Sequence, residues 1–333
     1  MSIWDVNYAA ILVDGLSFAL PLLIIAIGGI YSERSGIVNL ALEGLLGFGA
    51  FAGALFVASS AVLFAEHADL FGAIPHLQMY LSFLFAALGG ALFAVIHAVL
   101  CIRFMANQVI SGVVINILSV ALTGFLTSTI NATFFGQAAE RFTLQTLPRW
   151  DIPFLMEIPI LGAAFTRVYP FMFIILTVGT FFWYLLYKTK FGLHVRAAGD
   201  NPQALAAAGV NVGRVRFWAV IISGFLSGIG GMAFAYSIST NFSPAVYMGF
   251  GFLSIAALIF GNWRIVPTFA ACLIFGLTRS AAFNLLPVFD ASAAVLDLAL
   301  AAPFVVTLLL LVFFGKTNKA PRALGELYDK SKR

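Results

Sequence analysis

Two groups of polar side chains interrupt an otherwise apolar chain, and their spacing limits the chemistry open to it. Asn39 and Glu43 stand four residues apart, so on a helix they share one face. Asn107 and Ser111 have the same spacing, and Asn116 follows nine residues after Asn107, within about half a turn of that face. The run Asn107-Gln-Val-Ile-Ser-Gly-Val-Val-Ile-Asn reads as a polar stripe on an apolar helix. Such stripes line cavities or bond across helix interfaces, and spacing leaves both readings open. Glu43 lies within an apolar stretch, where a carboxylate is costly and faces a bundle or a cavity. It either braces neighbouring helices or meets a solute.

Residues suited to bond-making chemistry are not arranged for it. His67, His76, His97 and His194 lack metal-ligand spacing. His97 sits in an apolar stretch and reads as a hydrogen-bonded packing residue. Cys101 and Cys272 are far apart and read as small buried hydrophobes. There is no glycine-rich phosphate loop with its lysine, which excludes nucleotide binding by that route. No cofactor, metal or nucleic acid is expected on this chain. Its basic residues gather at the ends of apolar stretches, as topology signals do.

The element that must position the polar groups is a membrane bundle. The chain is 62% hydrophobic and 10% charged over 333 residues, against about 25% charged in soluble domains. Mean hydropathy is +1.01. Apolar surface on that scale needs lipid as cover. A crossing takes about 20 residues, and the predicted spans are 10–30, 37–63, 79–103, 108–130, 168–188, 216–236, 249–262, 265–283 and 293–314. The expectation is an all-α polytopic transmembrane bundle of about nine spans, between eight and ten, in a single domain over 1–333. The first stretch follows Asp5 and contains Asp14 with no basic lead, so it reads as a retained span. The seventh is short, and is either tilted or broken as discontinuous transporter helices are. In two spans small residues recur: Gly44, Gly47, Gly49 and Gly53, then Gly224, Gly228, Gly230 and Gly231. Four-residue spacing within them allows close helix contact.

Charge sets the orientation. The loop 189–215, with its flanks, holds Lys188, Lys190, Arg196, Arg214 and Arg216 against Asp200. The tail 315–333 is also basic. Both are predicted to be cytoplasmic. The segment 131–167, without basic excess, is then external, as are Glu66 and Asp69. Within the basic loop, 201–209 carries a complete short-helix signal. Asn201 caps, Pro202 suits the first helical position, and Gly209 supplies the left-handed stop. A helix this short must dock to persist, either on its own bundle or on a partner. Arg279 falls inside the eighth span, with Asp297 as a possible pair at the start of the ninth.

Three stretches carry a family resemblance: Glu33-Arg-Ser-Gly-Ile-Val-Asn-Leu-Ala-Leu-Glu-Gly-Leu, Asn107-Gln-Val-Ile-Ser-Gly-Val-Val-Ile-Asn, and Gly192-Leu-His-Val-Arg-Ala-Ala-Gly-Asp-Asn-Pro-Gln-Ala-Leu-Ala-Ala-Ala-Gly-Val. The chain resembles inner-membrane permeases of bacterial ABC importers, in the branch of branched-chain amino acid, ribose and nucleoside permeases. Within it, the chain is similar to the shorter permease of purine or guanosine-type nucleoside systems. Ala41 stands where the family carries Gly. The resemblance implies a coupling helix at Asn201, Pro202, Leu205, Ala206 and Gly209 that seats in a separate ATPase, which uses ATP and Mg. It also implies a second permease paralogue, an extracytoplasmic solute-binding lipoprotein, and a small neutral solute. The polar pathway candidates are Asn39, Glu43, Asn107, Ser111 and Asn116. A riboflavin, ribose-like or branched-chain amino acid cargo is the alternative within this architecture. An ion-coupled secondary transporter is the alternative outside it.

Overall fold

In the computed structural model, residues 8–63, 76–158, 162–245, 247–286, 292–314 and 319–328 are described. Asp5, Glu66, His67, Asp69, Pro159, Lys316 and residues 329–333 lie outside them. The long helices are α1 (Tyr8–Arg34), α2 (Leu42–Leu63), α3 (Leu77–Ala98), α4 (Gln108–Phe134) and α5 (Phe171–Lys188). Two short helices follow, α6 (Lys190–Asp200) and α7 (Pro202–Ala207). After them come α8 (Val212–Phe234), α9 (Phe250–Phe260), α10 (Ile265–Leu285), α11 (Ala293–Leu300) and α12 (Ala302–Phe314). Single π-helical turns, Val99–Arg103 and Ala235–Ser239, extend α3 and α8.

Among the described residues, seven helices are long and apolar enough to cross a membrane, not nine. Two predicted spans fail for backbone reasons that hydropathy does not sense. The stretch 249–262 holds only α9, 11 residues long, which covers about half of the hydrocarbon thickness. It starts at Gly249, in a left-handed conformation with φ 92°, and stops at Gly261 before Asn262 and Trp263, both also at positive φ. The stretch 293–314 is two helices of 8 and 13 residues, interrupted at Ala301 just before Pro303. Proline lacks the amide that would continue the ladder through that point.

The core is built by α8 against α1, α2 and α3, with α10 against α1. Its tightest seam joins α2, α3 and α8. A Cβ on Gly228 would lie 2.0 Å from the Ala86 carbonyl oxygen, and one on Gly49 would lie 2.3 Å from the Gly228 Cα. Backbones this close gain dispersion contacts that stand in for the hydrophobic drive lipid does not supply. Gly228→Val is therefore expected to force α3 and α8 apart. Detergent-extracted monodisperse protein should fall sharply, and undiminished recovery with unchanged thermal unfolding would refute the seam.

The segment between α4 and α5 folds back on the bundle. Its strand β1 (Phe142–Thr143) pairs antiparallel with β2 (Asn241–Phe242), matching Phe142 to Phe242 and Thr143 to Asn241. The Asn131 amide donates to the carbonyls of Ala139 and Arg141 at 2.7 and 3.0 Å.

Candidate functional site

The polar residues of the first two motifs meet along one seam. After α1 the chain turns at Gly36 and runs without helix to Leu42, so Asn39 enters the bundle on non-helical backbone. Asn39 donates to the Ser223 hydroxyl of α8 at 2.7 Å, while its Oδ1 is buried with no partner. Across from it, α4 buries one polar face made of Gln108, Ser111, Ser119, Thr123, Thr127 and Asn131. Gln108 accepts from the Val38 amide at 2.7 Å. Asn116 accepts from the Gly44 amide at 2.7 Å and donates to the Leu40 carbonyl at 2.8 Å. Ser119 donates to the Gly44 carbonyl at 2.8 Å. These bonds replace the backbone pairs that the non-helical entry to α2 lacks.

Ser111 sits 2.9 Å from His97 Nδ1, and His97 Nε2 is 3.3 Å from the Val38 carbonyl oxygen. A carbonyl only accepts, so Nε2 carries the proton and Nδ1 accepts from the Ser111 hydroxyl. Asn107 takes a different position. It caps α4, accepting from the Val109 and Ile110 amides at 2.9 and 3.1 Å, on an exposed corner. Of the five candidates, Asn116 bonds across the α2–α4 seam, Asn39 reaches α8, Ser111 reaches His97 on α3, and Asn107 marks the end of α4.

Glu43 meets α9. Its carboxylate accepts from the Gly249 amide and, at 2.8 Å, from the Gly251 amide. A half-length helix begins inside the bundle with unpaired amides and the positive end of its dipole. Glu43 satisfies both. The close approach depends on Gly251, where a Cβ would lie 2.5 Å from the Glu43 backbone. A second carboxylate, Glu33, accepts from the Trp263 indole beyond the other end of α9. Arg34 donates to the Trp263 carbonyl at 3.0 Å.

A second constellation lies at the Arg34 end. Asn201 caps α7 by accepting from the Ala204 amide at 3.0 Å, and Gly209 leaves it at φ 83°. Pro202 and Leu205 are buried and Ala206 is half-buried, whereas Gln203, Ala204, Ala207 and Ala208 are exposed. The helix is thus pinned on one side and bare on the other. A cavity of about 860 Å³ beside it is lined by Tyr187, Leu193, Arg196, Leu205 and Arg264, among others.

Arg216 unites this end, a role that its place among the basic topology signals conceals. It is 2% exposed. Its guanidinium donates to the carbonyls of Ser35 at 3.0 Å, Glu326 at 2.9 Å and Ala198 at 3.4 Å. The tail joins here: the Ala323 amide donates to the Gly199 carbonyl at 2.8 Å and the Gly325 amide to the Gly36 carbonyl at 3.0 Å. No local pattern announces these contacts, because each joins segments remote in sequence. Arg279 lies over the Phe18 ring, 4.7 Å from its centre. The side chain of Asp297, its suggested partner, lies outside the described residues.

Known proteins match the chain along most of its length. The nucleoside ABC transporter permease protein NupC of Lactococcus lactis subsp. cremoris is 37% identical over 326 residues, 97% of each chain. The guanosine ABC transporter permease protein NupQ of Bacillus subtilis is 38% identical over 321 residues, 96% of each. A putative glucose ABC transporter permease of Haloferax volcanii is 29% identical over 276 residues, 81% of this chain and 76% of the relative. No solved structure matches. The family described as branched-chain amino acid transport system / permease component matches residues 11–314. The chain belongs to that family, and is a multi-pass permease subunit of an ABC importer that leaves ATP hydrolysis to another subunit.

Proposed function

We propose that this permease carries nucleosides inward, sharing its pathway with a second, paralogous permease and receiving solute from an extracytoplasmic binding protein. The support for the cargo is full-length similarity to two permeases named for nucleoside and guanosine transport. The basic residues around α6 and α7 support a cytoplasmic position for that end, facing the ATPase. The observation that carries the coupling role is the anchoring of α7: Pro202 and Leu205 bind it to the bundle, and an alanine face is left free to seat in a groove. Movement of an ATPase would pass through α7 to Gly199, Gly36 and Arg216, and so to α1, α2 and α8.

The pathway wall in this reading is the α2–α4 seam. Asn107 and Asn116 are the members with accessible surface, and amides suit the neutral hydroxyl and ring-nitrogen groups of a nucleoside. Asn39, Glu43 and Ser111 hold the wall from behind.

The cargo is tested by uptake of labelled nucleoside into cells expressing the whole system, with unlabelled nucleosides, riboflavin, ribose and leucine as competitors. Competition by nucleosides alone is expected; competition by another class would reassign the cargo. Coupling is tested with Ala204→Arg or Ala207→Glu, on the exposed face, rather than at half-buried Ala206. Uptake should drop to near background while ATPase and permease levels stay normal. Full uptake would remove α7 from the coupling role.

A further inference from the structure

The Asp14 end of the bundle holds a cavity of about 350 Å³ that the α2–α4 pathway and the α7 dock leave unused. It lies between the start of α1, the π turn after α8 and the far end of α10. Arg149 and Arg279 both reach it. Arg149 is already engaged: it pairs with Asp14 at 3.4 Å, donates to the Tyr169 hydroxyl at 2.6 Å and lies over the Tyr169 ring. Arg279 has no carboxylate or carbonyl partner among the described residues, only the Phe18 face. The Ser237 hydroxyl, buried on the wall of the same cavity, also lacks a partner. Asn284 spends its amide on Ser280. Among the described residues, the lining of this cavity therefore sets one carboxylate against two guanidiniums.

A partly buried guanidinium with open donors is costly until an acceptor meets it. The planar fork of arginine fits the oxygens of a phosphate-type anion. The Phe18 ring forms an aromatic floor 4.7 Å beneath the guanidinium. The geometry points to a binding site for a phosphate monoester or diester at this end, which the charge bias places outside. The group has two sources, the headgroup of an anionic lipid of the outer leaflet or a free phosphate. The site is separate from the solute pathway and does not depend on the nucleoside assignment.

Thermal unfolding of the full importer in uncharged detergent, stripped of lipid, tests it with three additions: inorganic phosphate, phosphatidylglycerol, and uncharged diacylglycerol. A rise in Tm with phosphatidylglycerol alone identifies a lipid headgroup. A rise with inorganic phosphate as well identifies a free-anion site. In either case Arg279→Gln should need roughly tenfold more ligand for half the shift, the worth of one charge-assisted hydrogen bond. Arg279→Lys, which keeps the charge, should retain part of the response and guards against a Gln variant that fails to fold. No rise in the wild type, or an equal rise with diacylglycerol, overturns the proposal. So does an Arg279→Glu loss of stability that Asp297→Arg restores without any anion, since Arg279 would then be paired inside the chain.

Discussion

Glu43→Ala is expected to lower the stability of the permease more than substitution of any other polar candidate on α2 or α4. Two backbone amides, Gly249 and Gly251, donate to this carboxylate at the start of α9. Removing it orphans both in a buried place, at about 1–3 kcal/mol each. The loss of a negative charge at a helix N-terminus adds up to roughly 2 kcal/mol more in partly buried geometry. Among the described residues no other side chain accepts from these two amides. Glu43→Gln, which keeps one acceptor oxygen, should fall between wild type and alanine. Thermal unfolding in detergent and uptake in cells, measured together, separate two roles. A large drop in Tm makes Glu43 the brace of α9. An unchanged Tm with lost uptake would sink that account and make Glu43 a solute contact.

The second large effect belongs to Arg216. Its three bonds tie the α1–α2 connector at Ser35, the end of α6 at Ala198 and the tail at Glu326. Hydrogen bonds from a charged donor contribute about 1.5–3 kcal/mol each, so Arg216→Ala is expected to cost on the order of 3 kcal/mol or more. Lysine, a single point donor, cannot reach three carbonyls in different directions and should rescue little. Removal of residues 319–333 deletes the Glu326 acceptor and the Ala323 and Gly325 bonds, and should cost on the order of 2 kcal/mol. The two changes share a contact, so their combination should fall short of the sum. Strict additivity in thermal unfolding would show that the tail is not held through Arg216. Because α7 follows α6 directly, either change should also reduce uptake per unit of ATP hydrolysed.

Much of the molecule was legible from local pattern. Seven apolar runs were long enough to be both hydrophobic and uninterrupted, and they became spans. The glycine pairs at four-residue spacing pointed to close contact, and Gly49 and Gly228 now lie against each other. The spacing of the stripe from Asn107 to Asn116 fits either cavity lining or interhelical bonding. Ser111 and Asn116 make interhelical bonds, and Asn116 keeps accessible surface. The count of nine was wrong because hydropathy averages side chains over a window. It does not register Gly249 and Gly261 cutting α9 short, nor the break at Ala301.

Composition and spacing by themselves determined that the chain is a helical membrane protein and which end is basic, but not which polar residues share a face: Asn39 lies outside the helix that carries Glu43, and Asn107 is exposed where Ser111 is buried. The first two properties accumulate along the chain, so a linear reading captures them. Tertiary structure alone decided what the polar groups do. Glu43 and Gly249 are 206 residues apart, and Arg216 and Ser35 are 181 apart. Buried amides and carbonyls that lipid cannot satisfy must find partners wherever the packing brings one. The partner is chosen by the three-dimensional fit of distant segments, and no spacing rule in one segment encodes it.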